Sequence, residues 1–256
     1  MNSPSTPRAR SVITEVEGLA MHAVVLREDK GEDTPTFVLV PGLGLSGRYM
    51  MPTAELLAAV GTVWVPDLPG CGKSEKPRRV PDISELAEAL ALWMKMHGIK
   101  APVLIGNSLG AQVIVDFAVR YPELLHRAVL VAPTIDPEAP QVSTQVMRLL
   151  ADGVREPLPL YWIALTDYLR AGFGRVLKTL RHALADPVER KLPMLACPVL
   201  VIRGARDPIV PQPWVERVVR LIPIARLVIL PKAAHAVNFN SPDVLAAEIL
   251  QFLEMD

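Results

Sequence analysis

The sequence of 256 residues lacks the features that mark several protein classes. It has only two cysteines, Cys71 and Cys197, and neither lies in a CxxC spacing, so a disulfide framework and a cysteine-based metal site are not expected. No apolar run reaches the roughly 18 residues of a membrane-spanning helix. Basic and acidic side chains number 27 each, which provides no general attraction to nucleic acid or anionic lipid. We therefore expect a cytoplasmic protein without a nucleic-acid or membrane partner.

The N-terminal residues 1–7 are polar and proline-rich. A secretion signal has a basic start and then a run of roughly 7–15 apolar residues. No such run follows here, so we expect a loose tail in place of a signal.

Short runs of β-branched and aliphatic residues recur along the chain, with helical patterns between them. Several runs are apolar on both faces, as the buried strands of a parallel sheet are. This alternation predicts an α/β protein with a mostly parallel sheet of eight strands and helices on both faces. The predicted strands span residues 12–16, 21–26, 36–40, 62–65, 103–105, 128–131, 199–202 and 227–230.

Residues 134–193 interrupt the alternation. They contain no convincing strand, their helical patterns are broken by prolines, and they hold Tyr161, Trp162 and Phe173. We predict a helical insertion here, with residues 1–133 and 194–256 forming the sheet-based core.

Two glycine motifs suggest nucleotide binding. Gly42–Gly47 matches GxGxxG, and Asp67 lies where a ribose-binding acid would be in an NAD(P)-dependent oxidoreductase. The preceding strand is the third in the chain, however, and Met50 and Met51 crowd the start of the next helix. Gly72-Lys73-Ser74 resembles the end of a P-loop, but Asp67 occupies the position of its first glycine, where a carboxylate would repel phosphate.

A third glycine motif, Gly106-Asn107-Ser108-Leu109-Gly110, has the form GxSxG. It follows an apolar strand and precedes a helical pattern, which is the context of a nucleophile elbow. In such an elbow a strained turn exposes the serine hydroxyl, and the flanking glycines avoid collisions with neighbouring backbone. Ser108 is therefore the predicted nucleophile.

A serine nucleophile needs a base, and the base needs a carboxylate that orients it. His235 and Asp207 each follow a predicted strand, in the chain order serine, acid, histidine. Open α/β sheets bind ligands at the carboxyl ends of their strands, where both residues are expected. Asp136 is the rival for the acid, because it also follows a predicted strand.

With these residues the chain resembles the α/β-hydrolase family along nearly its whole length. The resemblance is carried by residues 41–44, by the segment 67–74 (Asp-Leu-Pro-Gly-Cys-Gly-Lys-Ser), by the GNSLG elbow, and by the positions of Asp207 and His235. It implies that the backbone amides of Leu43 and Leu109 form an oxyanion hole. It also implies that residues 134–193 are a cap over the substrate pocket.

We expect a serine hydrolase, without metal or cofactor, that cleaves an ester-like acyl bond of a small, mainly apolar substrate through an acyl-enzyme. A carbon–carbon bond hydrolase of the meta-cleavage type, a lactonase and a thioesterase share this chemistry and stay open, as does a non-catalytic binding protein. The sequence does not decide between a monomer and a homo-oligomer. Candidate substrate-binding residues are Tyr161, Trp162, Phe173, Val210 and Val237.

Overall fold

The computed structural model describes residues 9–27 and 34–254. The predicted loose tail, residues 1–7, lies outside the described residues. Of the helices in the described ranges, none has the length and hydrophobicity that crossing a bilayer requires.

One sheet of eight strands forms the centre of the molecule, in the order β1-β2-β4-β3-β5-β6-β7-β8. The first two strands pair antiparallel with each other, β2 pairs antiparallel with β4, and the remaining pairs are parallel. The predicted fold class is thus confirmed. The strands are β1 Ala9–Val16, β2 Leu19–Leu26, β3 Thr36–Val40, β4 Thr62–Pro66, β5 Val103–Asn107, β6 Arg127–Val131, β7 Val199–Gly204 and β8 Ala225–Leu230.

The two edge strands are longer than predicted. β1 begins three residues before the predicted start and β8 begins two residues before it. Edge strands are only half buried, so their ends lack the apolar pattern from which strands are recognised. The inner strands β4, β5, β6 and β7 are buried along their whole length. Of these, β4 and β6 differ from the prediction by one residue, whereas β5 and β7 each end two residues later than predicted, because their last two residues are glycine or polar.

Alternate residues of each inner strand belong to two different apolar clusters, one on each face of the sheet. Helices α2, α3 and α8 contribute to one cluster, and α1 and α10 contribute to the other. The helices are α1 Met51–Leu57, α2 Ile83–Met96, α3 Leu109–Arg120, α4 Val142–Gly153, α5 Leu158–Ala171, α6 Phe173–Ala185, α7 Val188–Lys191, α8 Gln212–Leu221, α9 Val237–Asn240 and α10 Pro242–Leu253.

The insertion between β6 and β7 consists of α4, α5, α6 and α7. Its last part packs into the main core through Ala183, Val188 and Leu192. Its middle part is attached by Asp167, which is fully buried. The Asp167 carboxylate accepts hydrogen bonds from the backbone amide and the hydroxyl of Ser46, at 2.8 and 2.7 Å, and pairs with Arg48. The insertion is therefore fixed to the loop that follows β3.

Candidate active site

Ser108 lies in the sharp turn between β5 and α3. Its backbone has φ 57° and ψ −118°, which is a strained conformation for a residue with a side chain. Serine is a favoured helix N-cap, yet the Ser108 side chain makes no capping hydrogen bond to α3. The backbone amide of Ser108 donates instead to the Val131 carbonyl on β6, at 2.9 Å. The Ser108 hydroxyl is therefore not used to cap α3.

The glycines of the motif are required by close backbone contacts. A Cβ atom at Gly110 would lie 2.2 Å from the carbonyl oxygen of Val40 on β3, and one at Gly106 would lie 2.5 Å from the carbonyl group of Gly110. Neither backbone could yield without displacing a central strand. These two glycines therefore allow β3, β5 and α3 to approach closely beneath Ser108.

His235 and Asp207 form a buried hydrogen-bonded pair. The Nδ1 atom of His235 is 2.8 Å from Oδ2 of Asp207, although the two residues are 28 positions apart in the chain and β8 lies between them. Oδ1 of Asp207 accepts hydrogen bonds from the backbone amides of Ile209 and Val210, at 2.7 and 3.0 Å. The turn after β7 thereby fixes the carboxylate, and the carboxylate fixes the imidazole ring.

Several opposing effects set the pKa of His235. Burial disfavours the charged imidazolium and lowers the pKa, but the charge and hydrogen bond of Asp207 raise it, and the carboxylates of Asp152 and Glu156 raise it further. The result is a pKa raised from 6.5 to about 8. Burial also raises the pKa of Asp152, to about 7, in spite of the nearby His235, with Glu156 and Asp207 adding to the increase.

The rival acid Asp136 is placed elsewhere. Its carboxylate lies 3.4 Å from the guanidinium of Arg148 and accepts from the backbone amide of Glu138. The ring of His235 is bonded to Asp207 and not to Asp136. The geometry therefore favours Asp207 as the orienting carboxylate.

Ser108 and His235 line one cavity of about 100 Å³, which is mainly apolar. Leu43 and Leu109, the two residues predicted to supply oxyanion-binding amides, line the same cavity. Leu109 is the first residue of α3, and an amide in the first turn of a helix has no acceptor within that helix. The helix N-terminus also carries a partial positive charge, which favours a developing anion.

A second cavity, of about 380 Å³, adjoins the first and shares His235, Leu45, Tyr49 and Tyr168 with it. Of the predicted substrate-binding residues, Tyr161 lines this second cavity. The other four predicted residues, Trp162, Phe173, Val210 and Val237, line neither of the two cavities.

Two of these four residues are exposed and two are buried in the core. The side chains of Trp162 and Phe173 are 68% and 57% exposed. Val210 and Val237 are buried in the core, and Val210 contributes to the site only through its backbone amide. Of this group, only Tyr161 lines a cavity that His235 also lines.

The GxGxxG motif and Asp67 have a structural role. Asp67 is buried and accepts hydrogen bonds from the backbone amides of Gly47 and Lys73, at 2.6 and 2.8 Å, and it contacts His22 Nδ1 at 2.8 Å. A ribose hydroxyl would have to replace one of these partners. The oxidoreductase alternative is therefore not supported. In the described ranges, no group of three or more metal-ligating side chains occurs either.

Asn107 and Tyr49 are site residues that sequence reasoning missed. The Tyr49 hydroxyl donates to Oδ1 of Asn107 at 2.9 Å, and Nδ2 of Asn107 donates to the backbone carbonyl of His235 at 3.2 Å. Asn107, the residue before Ser108, thus holds the loop that carries His235. Its position inside GNSLG was a signal for Asn107, whereas nothing in the sequence pointed to Tyr49.

Asp152 and Glu156 were missed as well. The backbone amide of His235 donates to Asp152 at 3.4 Å, and the amide of Ala236 donates to Glu156 at 2.9 Å. Glu156 also accepts from Nδ2 of Asn240, at 2.7 Å. Both carboxylates belong to the insertion, which therefore contacts the loop that carries His235.

Comparisons with known proteins agree with this geometry. A family model described as "Alpha/beta hydrolase family" matches residues 37–248. The chain is 29% identical over 251 residues to a protein of Agrobacterium fabrum named "Putative carbamate hydrolase RutD", and the alignment covers 86% of this chain and 94% of that protein.

Solved structures resemble the fold. An enol-lactonase from Burkholderia xenovorans matches with a TM-score of 0.79 at 22% identity, covering 95% of this chain and 100% of that one. A 2-hydroxy-6-oxo-6-phenylhexa-2,4-dienoate hydrolase from a Rhodococcus strain matches with a TM-score of 0.77 at 23% identity, covering 97% and 100%.

Proposed function

Because this chain belongs to the α/β-hydrolase family, we propose that it is a serine hydrolase that cleaves an ester-like acyl bond with Ser108, His235 and Asp207. The observation that carries the proposal is the pair of His235 and Asp207, held at 2.8 Å beside a cavity that Ser108 also lines. A further part of the proposal is that residues 134–193 act as a cap on a core formed by residues 1–133 and 194–256.

The three side chains and two backbone amides have complementary roles in the proposed reaction. The neutral Nε2 of His235 takes the proton of the Ser108 hydroxyl as the serine oxygen attacks the substrate carbonyl. Asp207, bonded to Nδ1, keeps the ring in the required tautomer and stabilises the imidazolium that forms. The amides of Leu43 and Leu109 donate to the developing oxyanion. His235 then protonates the leaving group, and water attacks the acyl-enzyme by the same route.

The cavities favour an apolar acyl or alcohol group. Aliphatic and aromatic side chains form most of the wall around Ser108, including Leu45, Leu149, Leu180 and Ile209. Small-molecule sites commonly combine such a wall with a few polar groups that fix orientation. Tyr161 and the second cavity would accept the longer part of a substrate.

Carbamate hydrolysis is a second candidate, because the relative described above carries that name and aligns with 86% of this chain. A carbamate also presents a carbonyl to a serine nucleophile, so the same residues would serve. A lactonase or a carbon–carbon bond hydrolase has support only from fold resemblance, and fold alone does not select a substrate.

The test combines a covalent probe with a substrate panel. A fluorophosphonate should label the wild-type protein and the Ser143→Ala control, which changes an exposed serine, but should not label Ser108→Ala. p-Nitrophenyl esters of increasing acyl length and matched p-nitrophenyl carbamates then identify the preferred bond.

The outcomes are distinct. Ester turnover with a burst of p-nitrophenol supports the proposal, and preferential carbamate turnover would move it to the second candidate. A folded protein that is neither labelled nor active would be a binding protein on this scaffold. Because triad members act as a unit, the Ser108→Ala/His235→Ala double variant should be little worse than either single variant.

A further inference from the structure

The exposed apolar side chains of the described residues are concentrated on the cap. Of 19 large hydrophobic side chains that are exposed, 12 lie between Val146 and Leu177, on α4, α5 and α6. Monomeric soluble proteins rarely expose a large contiguous apolar area unless it contacts a partner or a membrane. Single exposed apolar residues elsewhere on the surface need no explanation, but a concentration of them on one segment does.

These side chains follow the periodicity of the helices that carry them. On α5, Leu158, Trp162, Leu165 and Leu169 are spaced by four, three and four residues, so they lie on one side of the helix. All four are exposed, and Leu158 is 77% accessible. An amphipathic helix normally turns such a stripe toward the core, but here the stripe faces outward.

A similar spacing occurs at the end of α4, where Met147, Leu150 and the capping residue Val154 are spaced by three and four residues and are all more than 60% exposed. The end of α4 is joined to α5 by a hydrogen bond from the Tyr161 hydroxyl to the Gly153 carbonyl. This bond joins the end of α4, which carries one stripe, to α5, which carries the other.

The exposed charged side chains of residues 142–185 carry one sign of charge. Residues 142–185 contain three carboxylates, Asp152, Glu156 and Asp167. Asp152 and Asp167 are buried, and both oxygens of Glu156 accept hydrogen bonds. The exposed charges of this segment are therefore cationic, and they belong to Arg155, Arg170, Lys178 and Arg181. We refer to these four residues and the exposed apolar side chains of residues 146–177 as the cap face.

The cap face surrounds the way into the site. Leu149, Leu150, Val154 and Tyr161, all exposed, also line the second cavity, which contacts His235. If the cap face lay against an apolar phase, a molecule leaving that phase would thus pass directly into the second cavity.

We propose that the cap face docks the enzyme on an anionic lipid surface, from which an acyl substrate enters the second cavity. An outward apolar stripe with an indole and flanking cations is the pattern of helices that lie in the plane of a membrane interface. A second copy of the chain fits less well, because a symmetric contact places the same patch on both subunits and would bring these cations together. The whole chain has equal numbers of basic and acidic residues, and this balance conceals the excess of exposed cations on the cap face. This proposal therefore replaces the expectation that the protein has no membrane partner.

The docking is tested by flotation with lipid vesicles. Wild-type protein should float with vesicles of phosphatidylcholine containing about 30% phosphatidylglycerol, it should remain behind with phosphatidylcholine alone, and added salt should release it. Arg170→Glu/Lys178→Glu should weaken the partition more than about tenfold, since each basic residue near an anionic surface contributes about fivefold in binding. Leu165→Asp/Leu169→Asp should abolish flotation.

Matched variants away from the cap face serve as controls. Ile13→Asp/Ile224→Asp changes two exposed apolar residues, and Lys76→Glu/Lys100→Glu changes two exposed cations. Both should float as the wild type does, and thermal melts should show that every variant is folded.

Three results would overturn the proposal. The first is equal flotation with anionic and neutral vesicles, and the second is flotation that the cap-face substitutions do not reduce. The third is a concentration-dependent dimer that the cap-face substitutions dissociate, because it would show that the cap face binds a second copy of the chain. The transfer of substrate rests on the proposed hydrolase function, but the docking does not. Ser108→Ala protein should therefore float normally, so loss of hydrolysis and loss of docking are separable.

Discussion

Glu156, in the insertion between β6 and β7, accepts a hydrogen bond at 2.9 Å from the backbone amide of Ala236, the residue that follows the candidate base His235. Its other carboxylate oxygen accepts from Asn240 Nδ2 at 2.7 Å. One side chain of the insertion thus satisfies a donor immediately before α9 and a donor at the end of α9. The insertion and the position of the imidazole are therefore not independent of each other.

Replacing Glu156 with alanine should destabilise the protein and reduce turnover. Two buried or half-buried donors would lose their acceptor, at a cost of about 1–3 kcal/mol each. Urea unfolding should measure this loss, and kcat should fall because the His235 loop is less ordered. Glu123→Ala, which removes an exposed carboxylate, should change the free energy of unfolding by less than about 0.5 kcal/mol. Equal effects of the two variants would contradict the role of Glu156.

The two candidate acids should differ strongly in their effect on rate. Asp207→Asn would present an amide to Nδ1 of His235 and favour the wrong tautomer, so kcat should fall by about 10⁴. Asp136→Asn loses a partner of Arg148 and should cost less than about tenfold. Steady-state kinetics on the best p-nitrophenyl substrate decide the matter, and the opposite ranking would transfer the acid to the loop after β6.

The pH dependence of the reaction should follow His235. The base must be neutral to accept the serine proton, and its pKa is raised to about 8. We expect kcat/KM to be near its plateau above pH 8 and to fall about tenfold for each pH unit well below that value.

Asp152 should modulate this profile. Its carboxylate raises the pKa of His235, so Asp152→Asn should move the profile to lower pH and increase the fraction of neutral imidazole at pH 7. Asp243→Asn, at an exposed position on α10, should leave the profile in place. A shift that both variants share, or a flat profile from pH 5 to 8 with chemistry limiting, would contradict this assignment.

Gly110→Ala should prevent normal folding or abolish labelling of Ser108. The added methyl group would lie 2.2 Å from the Val40 carbonyl oxygen, and the overlap could be relieved only by moving α3 or β3. Gly174→Ala adds the same methyl group where nothing lies within 4 Å, so that variant should label normally and melt at or above the wild-type temperature. Circular dichroism and the fluorophosphonate probe measure both properties.

The catalytic candidates were predictable from sequence because each follows a strand of strongly apolar residues. Ser108, Asp207 and His235 are placed by the ends of β5, β7 and β8, and parallel strands bring their carboxyl ends to one edge of the sheet. A local pattern and a topological rule were sufficient for these positions. The contacts of Glu156 with Ala236, and of Asn107 with His235, join segments 80 and 128 residues apart, and no local pattern records such packing.

The side chains that line the cavities were harder to predict, because the direction in which a helical residue points depends on how its helix is rotated. Tyr161 and Trp162 are neighbours in sequence, but adjacent helical positions differ by about 100° in direction, so Tyr161 lines the second cavity while Trp162 faces outward. Val237 begins a short helix that turns its side chain into the core. Composition identified the aromatic segment, whereas only the packed structure fixed which side chains reach the site.

The attachment of Asp167 to Ser46 has a consequence for engineering. A chimera could carry, between β6 and β7, the segment of another protein with this fold. In this protein a foreign segment would leave the Ser46 amide and hydroxyl, and the amides of His235 and Ala236, without their acceptors. A transplanted segment would therefore have to supply carboxylates at the positions of Asp167, Asp152 and Glu156. Without these carboxylates, the loops that carry Ser46 and His235 would lose hydrogen bonds that hold them in place.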